Sequence, residues 1–212
     1  KRYSTMVQDY ISQGRSFEAS LRVALVAALC SPNFLYLDET QQPKSQKLNA
    51  YELANRLSYF LWSSMPDEEL IRCAANQTLL QTAGLGQQVE RMLDDPRSKQ
   101  FIQNFVGQWL RLREINETTP DRKLYSEYDE LLQHSLLQES ELFFQHLLDK
   151  NLSVINCLDS NFTIINERVA RHYDIDGVEG VAMRKVSLKP DSVRGGVLTQ
   201  GALLKVTANG TN

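Results

Sequence analysis

Residues able to do chemistry are sparse in this 212-residue chain, and their spacing decides what each can do. His134 and His146, twelve residues apart on one predicted helix, sit about 120° apart around its axis and share no face. Glu130 and His134 lie four apart, a chelating spacing, but on an exposed face the pair reads as a solvated contact; no metal site is expected. Among the carboxylates, Glu139/Glu141 and Glu127/Asp129/Glu130 run at i, i+2, which points neighbours to opposite sides of a helix and makes no acid–base couple. Glu139 is different. It falls at i+3 from Leu136 and i−4 from Phe143, beside an apolar seam. A carboxylate there is either paired with a buried arginine, the favoured reading, or raised in pKa.

No GxSxG, P-loop or GxGxxG occurs. The loop Val193–Leu198 places Arg194 beside Gly195 and Gly196. Two readings stand: a nest of backbone N–H groups for a carboxylate or phosphate, or a tight turn with Arg194 paired to a carboxylate such as Glu167. Cys30, Cys73 and Cys157 are far apart and form no CxxC or CxxCH, so no zinc ribbon and no covalent haem attachment is expected of this chain. They read as buried, inert thiols.

Positioning these residues falls to a mainly α fold. The spacing predicts helices over Met6–Ile11, Phe17–Cys30, Asn49–Leu61, Glu68–Ala75, Leu85–Leu93, Arg97–Ile115 and Glu127–Leu148. Ser16 and Asn49 are candidate caps, and Glu52 completes a capping box. Expected inner faces are Leu21, Leu25, Ala28 and Leu29; Leu53, Leu57, Phe60 and Leu61; and Leu132, Leu136, Phe143 and Leu147. The segment Arg97–Ile115 is expected to centre the core through Phe101, Phe105 and Trp109, with Trp109→Ala costing about 3–5 kcal/mol. Thr40–Lys47 reads as an exposed linker. Beyond Asn151 come short β-like pieces, Phe162–Ile165 and Met183–Leu188, around a helix Asn166–Tyr173 with a cap residue at its start. Six of the ten glycines fall in this last third, the mark of shaped loops.

The chain therefore divides, on sequence, into 1–48 (the end of an upstream helical module plus linker), a helical bundle over 49–150 and a loop-rich α+β segment over 151–212. The expected fold is an irregular helical bundle with a small β-containing, loop-rich C-terminal part. A net charge of −3, with Lys and Arg dispersed, gives no electrostatic reason to expect nucleic acid. No apolar run reaches the roughly 18–20 residues of a spanning helix. Lys1, not an initiator methionine, reads as the start of a piece of something longer.

Five stretches carry a resemblance: SFEASLRVALVAALCSPNFLYLDE, YELANRLSYFLWSSMPDEEL, MLDDPRSKQFIQNFVGQWLRL, FTIINERVARHYDIDGVEG and VRGGVLTQGALLKVTANGT. Taken in order, they resemble the cytochrome-c-associated domains of unknown function abundant in planctomycetes and related bacteria. The resemblance implies a large exported protein, periplasmic or extracellular. It implies partners among other modules or chains of that protein, including a c-type cytochrome whose haem lies outside this chain. It supplies no catalytic residue. Asp174 stands where that family usually has glycine.

Two functions follow as expectations: a subunit of an exported haem-dependent oxidoreductase, or a non-catalytic scaffold or polysaccharide-recognition module that positions a cytochrome. Candidate ligand-binding or haem-proximal positions are Arg194, Gly195, Gly196, Glu139, Asn166, Glu167, Thr207, Asn209 and His172, the last as an axial ligand lent to a neighbour's haem. The turn-forming run Thr207–Asn212 ends inside a motif that the resembled family continues with Thr-Ser-Pro. Either the backbone is cleaved after Asn212, freeing an N-terminal Thr or Ser nucleophile, or the polypeptide runs on unbroken.

Overall fold

A computed structural model describes residues 2–36, 48–121 and 123–208. The expected linker Thr40–Lys47 and the candidate Asn209 lie outside the described residues. Two compact units emerge, Lys1–Tyr59 with Ser64–Val89, and Phe60–Ser63 with Glu90–Asn212.

In the first unit, α1 (Arg2–Ser12) packs on α2 (Phe17–Leu29). Ser16 caps α2 by accepting from the Ala19 N–H at 3.2 Å. The residues α2 buries are small, Ser20 and Ala24, which lets the two backbones approach. Leu21, Leu25 and Leu29 are exposed, so the expected apolar stripe is not this unit's interior. Cys30 is likewise exposed, Cys73 half-buried and Cys157 buried, which corrects the expectation of three buried thiols. After the short α3 (Pro32–Leu35), α4 (Ala50–Trp62) opens with the predicted capping box: Asn49 Oδ1 accepts from the Tyr51 and Glu52 N–H groups, and Glu52 Oε2 accepts from the Asn49 N–H at 2.8 Å. Its buried positions in this unit are Ala50, Ala54 and Ser58; its last residues, 60–62, belong to the second unit, with Leu61 and Trp62 buried and Phe60 58% exposed. Then follow α5 (Glu68–Ala75), capped by Asp67, and α6 (Thr82–Asp94), whose last turn belongs to the second unit.

In the second unit, Trp62 is buried, its indole N–H donates to the Met92 carbonyl at 2.9 Å, and the Arg97 guanidinium lies 3.4 Å over its ring. Helix α7 (Lys99–Trp109) is shorter than expected: Arg111 adopts φ 56°, which ends the helix and lets Leu112–Glu114 form a 3-10 turn. Its buried stripe is Ile102 and Val106, continued by the cap residue Leu110. Phe101, Phe105 and Trp109 form the adjacent stripe, with Trp109 48% exposed, so the helix is rotated by about one residue from the expected orientation.

The spine of this unit is α8 (Glu130–Asp149), whose Leu132, Leu136, Phe143 and Leu147 are all buried as expected. It packs against α7, against β1 (Phe162–Ile165), and against α9 (Glu167–Tyr173) and α10 (Gly201–Thr207). Strand β1 is buried along its whole length and pairs antiparallel with β2 (Arg184–Ser187), Phe162 opposite Ser187. Among the described residues no helix is long and apolar enough to cross a membrane.

Candidate functional site: a buried carboxyl behind a cleft

Helix α8 carries polar residues on a buried face, and they tie it to the C-terminal elements. Ser135 Oγ accepts from Asn166 Nδ2 at 2.9 Å; Ser140 Oγ donates to Gln200 Oε1 at 2.7 Å. Asn166 also caps α9, its Oδ1 accepting from the Val169 N–H at 3.1 Å. Between Ser135 and Ser140 sits Glu139, 1% exposed. Thr163 of β1 donates to its Oε1 at 2.6 Å, and the Tyr173 hydroxyl of α9 donates to its Oε2 at 2.5 Å. The same hydroxyl accepts from the Gly201 N–H, the first of α10, at 2.6 Å. Gly201 is required there, since a Cβ would lie 2.7 Å from Leu136 Cδ2 and 3.0 Å from the Tyr173 oxygen. Burial pushes the Glu139 carboxyl up to about 7, against the lowering influence of the two hydrogen bonds and of the Arg194 charge. Burial, followed by the neighbouring carboxylate, raises Tyr173.

The expected pairing of Arg194 with Glu167 does not form. Glu167 pairs with Arg171 and accepts from the Gly180 N–H at 2.7 Å, closing a local turn. Arg194 instead stacks its guanidinium on the Tyr173 ring, 3.5 Å from the centroid, and donates through Nη1 to the Thr199 carbonyl at 2.8 Å. The two glycines serve close packing. The Gly195 N–H is taken by Thr199 Oγ1 at 2.9 Å, and Gly196, at φ 70°, leaves no room for a Cβ, which would lie 2.5 Å from the Cys157 carbonyl oxygen.

On the outer side of Tyr173 and Arg194 lies a cleft of about 200 Å³. Tyr125, Tyr128, Leu136 and Leu204 give it apolar walls, and Glu127, His172 and Lys205 give it charge or polarity. Lys205 is held in place by the Ile115 carbonyl at 2.6 Å and by the Thr118 carbonyl and hydroxyl at 2.5 and 2.9 Å. His172 Nδ1 stands 3.8 Å from Glu127 Oε1. Burial lowers its pKa, outweighing Glu127, which favours the neutral imidazole. Burial pushes the Tyr128 phenol up to about 12. Tyr173 and Arg194 together form the shared wall between this cleft and a void of about 10 Å³ beside Glu139.

Of the positions singled out from sequence, Glu139, His172 and Arg194 converge on this site, with Gly195 and Gly196 shaping its loop. Asn166 braces it from the N-cap of α9. Glu167 lies on the outer turn, and Thr207 bonds back to the Leu203 and Leu204 carbonyls at the end of α10. Sequence reading missed Thr163, Tyr173, Gln200 and Lys205. Thr163 carried a signal, as the single hydroxyl within the strand FTII. Among the described residues no three His, Cys, Asp or Glu side chains gather in a way that could hold a metal ion.

No curated protein matches this chain, and no solved structure does. A family model described as PSD4, protein of unknown function (DUF1592), matches residues 48–175, more than half of the chain. The matched span contains Glu139, Thr163, Asn166, His172 and Tyr173 and stops short of the Arg194 loop. The chain thus belongs to the PSD4 family of proteins of unknown function (DUF1592).

Proposed function

We propose that this chain is a module of an exported, cytochrome-c-linked oxidoreductase complex, in which the Tyr173–Arg194 cleft takes the substrate and c-type haem belongs to a neighbouring domain or chain. The observation that carries this reading is the Glu139 carboxyl, buried behind the cleft, joined to the Tyr173 hydroxyl and balanced near neutrality between its protonated and ionised forms. A group poised in that way suits proton uptake or release at working pH. The five sequence stretches that resemble planctomycete-type cytochrome-c-associated domains support the haem partner and a periplasmic or extracellular setting. The Tyr173–Arg194 cleft does not fit a haem. No CxxCH is present, and a cleft of about 200 Å³ is smaller than the roughly 300–1,000 Å³ that even drug-sized ligands occupy. Its part is to bind and orient a small molecule and to hold a proton at the Glu139 carboxyl. The test is an absorption spectrum and pyridine haemochrome assay on the native complex, isolated through this chain. Haem that is reduced on adding a small-molecule extract of the producing cells is expected; a complex without haem, or with redox-silent haem, overturns the reading.

The alternative, a scaffold that positions a cytochrome, is favoured by one observation. Phe60, Phe101, Phe105, Trp109 and Phe144 form a chain of ring contacts, with centroids 5.0–6.4 Å apart, and Phe60 and Trp109 are about half exposed. Such a stripe suits a protein neighbour. A complex with redox-silent haem that falls apart on Trp109→Ser would decide for it.

A further inference from the structure

We propose that the cleft beside Arg194 binds a small organic monocarboxylate with a flat apolar body, the Arg194 guanidinium taking the carboxylate and the cleft walls taking the body. This rests on the reading of the cleft as the substrate site and names the class of molecule it takes.

Arg194 is held on two sides. Its Nη1 is fixed on the Thr199 carbonyl and its plane is laid against the Tyr173 ring, so the side chain's freedom is spent before any ligand arrives. Its Nε and Nη2 have no hydrogen-bond partner among the described residues. A guanidinium held flat with donors to spare matches a carboxylate, and its prior ordering lowers the entropy lost on binding.

Charge points the same way. Arg194 and Lys205 outnumber Glu127 among the formal charges lining the cleft, and burial of His172 favours its neutral form. Lys205 gives its hydrogen bonds to Ile115 and Thr118, so it contributes field rather than a ligand contact. Phosphate fits less well. Anion cradles draw on several backbone N–H groups, and those of Gly195, beside Arg194, and Gly201, in the cleft wall, are occupied, Gly195 by the Thr199 hydroxyl and Gly201 by the Tyr173 hydroxyl. One guanidinium without a cradle suits a single negative charge. The remaining wall, Tyr125, Tyr128, Leu136 and Leu204, is apolar and aromatic, which selects a flat body.

Calorimetric titration of the intact chain with benzoate, benzamide and inorganic phosphate tests this. Benzoate is expected to bind on the order of tenfold more tightly than its neutral isostere benzamide, the size of a charge-assisted hydrogen bond, and phosphate is expected not to displace it. Arg194→Gln should abolish the preference. Because that change also removes the Thr199 contact, Leu204→Trp is the second variant: it leaves Arg194 in place, fills the cleft from the half-exposed surface of α10, and should block benzoate. Absence of benzoate binding, equal binding of benzamide, displacement by phosphate, or unchanged binding in Leu204→Trp would each overturn the proposal. Binding needs no haem, so the two readings fail separately. Benzoate bound by a chain whose complex has redox-silent haem removes the oxidoreductase; a reducible haem without benzoate binding removes only the carboxylate.

Discussion

Glu139 shows how a single side chain links stability to pH. Its folded-state carboxyl holds a proton up to about pH 7, whereas the unfolded chain releases it near the ordinary 4.5. The fold therefore binds this proton more tightly. The contribution is fully present below about pH 4.5 and is lost as pH rises through about 7, to a total of about 3 kcal/mol. Glu139→Gln, uncharged at every pH, should remove that slope, so the stability difference between wild type and variant, followed by urea unfolding from pH 4.5 to 8, should shift toward the variant as pH rises. Parallel curves would contradict it. A second residue makes an opposite point. The Ser58 hydroxyl is buried without a hydrogen-bond partner among the described residues, so Ser58→Ala should stabilise by about 1 kcal/mol in the same assay. Glu139 was legible in the sequence as a carboxylate on an apolar seam. Tyr173 and Thr163, which complete its site, were not, because 34 and 24 residues separate them from it and no local pattern spans that gap.

Several element boundaries followed local chemistry and were readable: Asn49, Asp67 and Asn166 each accept a backbone N–H at the start of a helix, whereas α8 begins at Glu130 behind the Asp129 cap, three residues later than the spacing predicts. The rotation of α7 was not readable. It carries two adjacent apolar stripes, Ile102–Val106 and Phe101–Phe105–Trp109, and periodicity alone does not say which one faces α8. The aliphatic stripe is the buried one, and the aromatic one runs along the edge with Phe144. Trp109→Ala should accordingly cost about 1 kcal/mol, the scale of an edge aromatic contact, in place of the expected core-sized loss. Leu136→Ala on α8, 1% exposed, should cost about 2–5 kcal/mol. Denaturant unfolding of the two variants checks the order, and a Trp109→Ala loss equal to that of Leu136→Ala would put the wrong stripe inside.

At the scale of the whole molecule, the mainly α character was legible in the spacing of apolar residues, and the change of texture beyond Asn151 in the glycines that cluster there. What composition could not convey is that the loop-rich part folds back onto α8 and that its elements close over Glu139 one by one: β1 through Thr163, α9 through Tyr173, α10 through Gly201. The proposed function depends on that closure. The most direct test compares native complexes isolated through the wild-type, Glu139→Gln and Tyr173→Phe chains, reading haem content by pyridine haemochrome and haem reduction by visible absorbance on adding the cell extract. Haem content is predicted to be equal in all three, with reduction slowed in both variants. Absent haem, or reduction at the wild-type rate in both variants, would contradict the account.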